Sequence, residues 1–404
     1  MFGASGNLRI GRIRGIPISV NAGLAIMAAV FIASLAGQAF PQLDPDASLT
    51  VRIVVASITV FGFLASILAH ELGHAALARR HQVGVLGIAL SLLGGYAQLD
   101  RQAPTPRAEF AIAAAGPAVN VAIGLALGAL AFGADRFELL PTLPLGALIW
   151  LAGINLVLAV LNLFPAAPLD GGRVLTAALW KRLRDAELAR IISGRIGLVL
   201  GVVVTVVGIV QFTAGRPEGL ITVIVGVFLF TGARGEIGAA AVRRRLARTT
   251  VQELMIADPP PINDSLTVAQ FQDFAGPGRA DVVFPVVRWT AEPIGYATPT
   301  AGVPLDGLDR SRSTVLDLMQ PTPEVARAWM TEPIDAVLRR LGHPDEVLLV
   351  VHEPQAGRVV GTVGHGQVRP LLATPDLWGR DRTETEHRSG PAGLRDRLRT
   401  SGAT

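Results

Sequence analysis

Two histidines and a glutamate stand together in the run LAHELGHAALA, with His70 and His74 four residues apart and Glu71 beside the first. On a helix that spacing projects both imidazoles from one face, about one turn apart, so both can bind one zinc ion. Glu71 lies on the same turn, where its carboxylate can take a proton from an attacking water and later pass it to the leaving amine. Two histidines and a glutamate in an otherwise apolar helix cost on the order of several kcal/mol in a membrane unless they pair or bind something. Cysteine is absent, so there is no disulfide framework or thiolate site, and a metal must be held by His, Asp or Glu.

A catalytic zinc usually has three protein ligands plus water. Asp170, in LNLFPAAPLDGGR, is the best candidate for the third. The competing reading makes it a turn or helix-cap aspartate ahead of Gly171 and Gly172.

The elements that must position these residues are membrane spans. Of 404 residues 50% are apolar, and the long apolar runs lie before Arg243. A hydrocarbon core of about 30 Å needs about 20 helical residues. Six segments qualify, roughly 18–38, 51–78, 108–132, 144–164, 194–213 and 218–234. Arg9, Arg12 and Arg14 precede the first; Arg79, Arg80, Arg101 and Arg107 follow the second. Arg173, Lys181, Arg182, Arg184 and Arg190 follow the fourth, and Arg243, Arg244, Arg245 and Arg248 the sixth. The alternate connections are short and poor in basic residues, so the positive-inside rule predicts both termini cytoplasmic in a multi-pass protein of the inner (plasma) membrane. The basic, mostly polar start reads as the flank of a retained first span, not a signal peptide. Spans two and four then descend in the same direction and bring His70 and Asp170 to one depth. HQVGVLGIALSLLGGYAQLD, broken by Gly84, Gly87, Gly94 and Gly95, reads as a strand or hairpin near the cytoplasmic face. The net charge of +4 is topology, not nucleic-acid binding.

HELGH at 70–74, GPAVN at 116–120 and NLFPAAPLDGG at 162–172 occur in the order of a known family. Over most of residues 10–235 the chain resembles the site-2 protease family of intramembrane zinc metalloproteases, in particular its bacterial branch with a cytoplasmic pair of CBS modules. The resemblance implies that Asp170 completes the zinc site and Glu71 is the catalytic acid/base. It also implies that Asn162, Pro165 and Pro168 shape or bind the substrate strand. For Asn162 and Asn155 interhelical hydrogen bonding is the plainer alternative, and it is favoured for Asn155. Gly116, Pro117 and Asn120 read as close helix packing and ligand support. The Gly94 and Gly95 segment resembles the membrane-associated sheet of such proteases, to which an unwound substrate could add as a strand.

Residues 249–368 hold two similar halves, one with TVQELM and PIGYAT, the other with TVLDLM and RVVGTV. This repeat resembles a tandem CBS pair, a module that often binds adenine nucleotides. Ala301 in the first half, and Gly364 and Gln367 in the second, replace the expected ribose-binding residues, so no nucleotide ligand residues are assigned; dimerisation or substrate gating are the alternative roles. The expected fold is thus a polytopic α-helical membrane protein with a short membrane-associated β segment, followed by an α+β tandem CBS domain. Its expected divisions are a protease domain over 1–242, the CBS pair over 243–373 and a disordered tail over 374–404. The expected activity is a zinc endopeptidase cutting single-span membrane proteins, such as anti-sigma factors or remnant signal peptides. A CBS-regulated transporter or metal-ion channel is the alternative; against it, Glu71 has no special use in a transport site.

Overall fold

The computed structural model describes residues 7–91, 94–276, 279, 282–288, 293–299, 310–320, 327–341, 349–352 and 359–372. The chain divides into two compact units, Met1–Ile237 and Gly238–Thr404.

The first unit opens with a hairpin, β1 (Asn7–Ile13) and β2 (Ile16–Asn21), where the sequence reading expected only a basic flank. Ile16, Ile18 and Val20 alternate along β2, and the first two are buried. Arg14 and Gly15 both take positive φ, 49° and 81°, the two-residue turn that matches strand twist. Consequently the first span begins at Ala22 and not near residue 18. Asn21 caps it by accepting from the Leu24 N–H at 3.2 Å.

That span is α1 (Ala22–Ser34), a π-helical turn (Leu35–Ala39) and α2 (Phe40–Leu43). Next, α3 (Leu49–Arg80) runs for 32 residues, about 48 Å at about 1.5 Å per residue, and so is long enough to cross a bilayer and extend past it. The strands β3 (Val85–Ser91) and β4 (Gly94–Leu99) form the expected hairpin, but within a four-stranded sheet of order β1-β2-β3-β4 whose β2–β3 pair is parallel. Then come α4 (Pro106–Arg136), α5 (Thr142–Asn162), the shorter α6 (Asp170–Leu183), α7 (Ala186–Thr213) and α8 (Gly219–Arg248). Among the described residues six helices are long and apolar enough to cross a membrane: Ala22–Leu43, α3, α4, α5, α7 and α8. Phe132, Val160 and Ile58 are among many large apolar side chains left on their outer faces. Helix α4 is the centre of the unit, packing on α3, α5 and α6. Phe31, Phe63 and Trp150 tie α1, α3 and α5 together with ring centroids 5.8 to 6.4 Å apart.

The second unit repeats one pattern. The first half holds α9 (Val251–Leu254), β5 (Ile256–Ala257), β6 (Ile262–Asn263), α10 (Val268–Ala275), β7 (Phe284–Val287) and β8 (Pro293–Ala297). The second holds α11 (Val315–Leu318), β9 (Arg327–Trp329), α12 (Ile334–Leu341), β10 (Leu349–His352), β11 (Val359–Val363) and α13 (His365–Leu372). In each half a strand pairs in parallel with the strand after the helix, which then turns back antiparallel. The halves exchange partners: β5 pairs with β11, and Gln320, just after α11, bridges Tyr296 on β8. Phe271 and Phe284 in one core, Ile334 and Val337 in the other, are fully buried. Ala301 and residues 374–404 lie outside the described residues. Gly364 donates its N–H to Gln367 Oε1 at 2.8 Å, at the start of α13.

Candidate metal centre

His70, Glu71 and His74 are buried on α3, where an unbroken apolar helix carries all three. Asp170 arrives from α6. The segment between α5 and α6 folds back so closely that a Cβ at Gly171 or Gly172 would overlap the backbone of Leu163 or Ala167. This reversal seats Asp170 in the first turn of α6, with its carboxylate turned toward α3. His70 Nε2 and His74 Nε2 each lie 3.1 Å from Asp170 Oδ2 and 3.0 Å from one another.

Such a triangle is what one cation requires: tetrahedral zinc ligands at about 2.0–2.1 Å stand roughly 3.3 Å apart. His74 Nδ1 donates to the Ile112 carbonyl at 2.6 Å, so its Nε2 keeps a lone pair facing the centre. The three residues fit the zinc that the sequence implied, and they form the one such metal-ligating group among the described residues. Burial alone would raise the Asp170 carboxyl, but its bonds to His70 and His74 outweigh this and hold it below the ordinary carboxylate range.

Two glycines clear the space. A Cβ at Gly116, on α4, would overlap both Nε2 atoms, so α4 lies flush against the donors. A Cβ at Gly95 would meet Glu71 Cγ at 2.7 Å, which brings the β4 backbone against the carboxylate. The site opens into a cavity of about 520 Å³. Of the residues expected to touch substrate, Asn162 and Pro168 line this cavity. Pro165 is exposed and outside its lining. Asn155 donates to the Leu151 carbonyl of its own helix at 2.8 Å, not to a neighbouring helix as expected.

Glu109 is a further buried charge beside the site, not among the residues singled out from the sequence. It is buried in α4; Arg173 of α6 donates to it at 3.0 Å, and Arg190 of α7 stands 3.8 Å away. Desolvation works against the Arg173 charge, but the adjacent Glu109 more than restores it. This cluster fixes the helix that carries Asp170 to the helix that carries Gly116. A lone glutamate in the apolar run AEFAIAAAGPAV was the available signal.

The family model described as peptidase family M50 matches residues 58–143 and 141–204. Over 366 residues the chain is 32% identical to Rip3 of Mycobacterium tuberculosis, a protein assigned to the zinc metalloproteases, covering 90% of this chain and 92% of Rip3. A solved structure, the site-2 protease from Methanocaldococcus jannaschii, is 27% identical and covers 57% of this chain and 95% of that one, with a TM-score of 0.40. The CBS domain of a bacterial CNNM/CorC family Mg2+ transporter, at 20% identity and a TM-score of 0.28, covers 38% of this chain and 94% of that one.

Proposed function

We propose, for a chain that belongs to peptidase family M50 and is a zinc metalloprotease of the site-2 protease kind, that it cuts single-span membrane proteins within or beside their membrane segment. The observation that carries this reading is the convergence of His70, His74 and Asp170 on one point, with Glu71 buried beside them. His70 Nε2, His74 Nε2 and Asp170 Oδ2 would hold the metal. Zinc held there would supply Lewis-acid polarisation of the scissile carbonyl and a water acidic enough to act at neutral pH. Glu71 takes the proton of that water and delivers it to the departing amide nitrogen.

Peptide bonds in a helix are shielded by their own side chains and hydrogen bonds, so the substrate must be unwound before it is cut. The β4 strand supports this step, because among the described strands it pairs with β3 alone and its residues 94–97 line the cavity. A peptide laid along that free edge gains main-chain hydrogen bonds in place of those it lost. Asn162 and Pro168 line the same cavity, where they would meet a peptide laid along that edge. Pro165 acts through the shape of its loop.

The basic connections support cytoplasmic termini in the inner (plasma) membrane, with residues 1–242 as the protease domain. The repeat over 243–373 serves as a CBS pair that modulates cleavage, through dimerisation or gating. Substrates would be anti-sigma factors, whose cutting releases a cytoplasmic regulator, or remnant signal peptides.

The test is co-expression with a panel of tagged single-span proteins from the same host, comparing wild type with Glu71→Gln. Fragments made by wild type alone are expected, with cleavage falling about 10²–10⁴-fold in the variant. Fragments that persist unchanged with Glu71→Gln would remove the assigned mechanism.

A further inference from the structure

One polar group in the cavity has no role in the metal site. Asn120 is 1% exposed, yet its Oδ1 has no hydrogen-bond partner, and the residue lines the cavity that holds His70, Glu71 and Asp170. Buried side-chain amides are normally paired. Asn155 Oδ1 is unpartnered as well, but that residue donates within its own helix and lies outside the cavity lining.

The position of Asn120 follows from Gly116. Residues four apart share a helix face, so Asn120 stands about 6 Å along α4 from the point where Gly116 abuts the two Nε2 atoms. It does not prop a ligand. His74 Nδ1 is held by the Ile112 carbonyl, and His70 Nδ1 is itself without a partner. Asn120 is packed in α4, as expected from the sequence, but no hydrogen bond links it to either histidine.

We propose that Asn120 is a substrate-binding residue whose carboxamide pairs with a main-chain peptide group of the unwound substrate. Its Nδ2–H donates to a substrate carbonyl oxygen, and its Oδ1 accepts from a substrate N–H. A neutral amide with an unpartnered Oδ1 and an Nδ2 donor complements a peptide unit, the group that unwinding leaves unsatisfied. β4 can satisfy one edge of the strand, and Asn120 approaches from α4. This inference rests on the protease reading above.

The test uses zinc-loaded, full-length Glu71→Gln in detergent micelles. The probe is a fluorescein-labelled peptide spanning the membrane segment of a host protein that wild type cleaves, read by anisotropy. Adding Asn120→Leu, close in size and apolar, is expected to weaken binding at least tenfold while zinc stoichiometry holds and Tm stays level or rises. Adding Asn120→Asp instead keeps the acceptors but loses the donors, and binding is expected to weaken as well. In the active background Asn120→Leu raises KM. Unchanged binding with Asn120→Leu would overturn the inference and leave the protease reading standing. So would a joint fall in Tm and zinc content, which marks a structural residue. If wild type cleaves no host protein and Glu71→Gln binds no membrane-segment peptide, both readings fail together.

Discussion

The two units of this chain solve opposite problems. In Met1–Ile237 the interior includes charged and metal-ligating side chains, His70, Glu71, His74 and Glu109, while large apolar ones such as Phe132, 75% exposed, cover the outer faces. In Gly238–Thr404 the order is the familiar one, with Phe271 and Phe284 fully buried. Lipid removes the cost of exposing apolar surface, so the first unit can spend its interior on chemistry. The second unit has no such freedom: the hydrophobic effect must hold its two small sheets together, and its interior is correspondingly apolar.

The largest expected effect lies at the centre of the polar interior. Asp170→Asn removes a charged donor from the triangle and is expected to lower zinc affinity by more than the roughly 10–100-fold that loss of an outer-shell partner costs. Metal analysis after dialysis checks this, and cleavage should vanish with the zinc while the fold of the second unit, followed by limited proteolysis, stays intact. Loss of both would mean that the units are not independent.

Of intermediate size is a matched pair of phenylalanines. Phe271→Ala, in the second unit, should cost about 3–5 kcal/mol of that unit's stability. Phe132→Ala, on the outer face of α4, should stay within about 0.5 kcal/mol. Denaturant titration of each variant measures the contrast, and equal costs would break the inside-out comparison.

The smallest effect is a pH dependence confined to the second unit. Burial works against the Glu332 charge, but Arg340 at 3.0 Å and the Trp329 N–H hold its pKa below the ordinary value. A depressed carboxyl contributes stability above its unfolded pKa and loses it as pH falls through the folded value. Glu332→Gln should therefore flatten the decline of that unit's melting temperature below about pH 4.5. An unchanged slope would remove Glu332 from the account.

The sequence by itself determined the six spans, because lipid demands long apolar helices and the chain spells them out. It also determined the His70, Glu71 and His74 constellation, since residues four apart on a helix must share a face. The β1–β2 hairpin was hidden, because Arg9, Arg12 and Arg14 resembled a basic flank and masked the alternation of Ile16, Ile18 and Val20. Asp170 was legible only as a candidate. A helix fixes the spacing of its own residues, but nothing local dictates that a chain reversal a hundred residues later returns to the same point. Tertiary structure alone decided that Oδ2 comes within 3.1 Å of both histidines, that Glu109 fastens α6 to α4, and that Asn120 lines the cavity. Each depends on which faces of which helices meet, and an apolar sequence that satisfies lipid all round leaves that choice to packing.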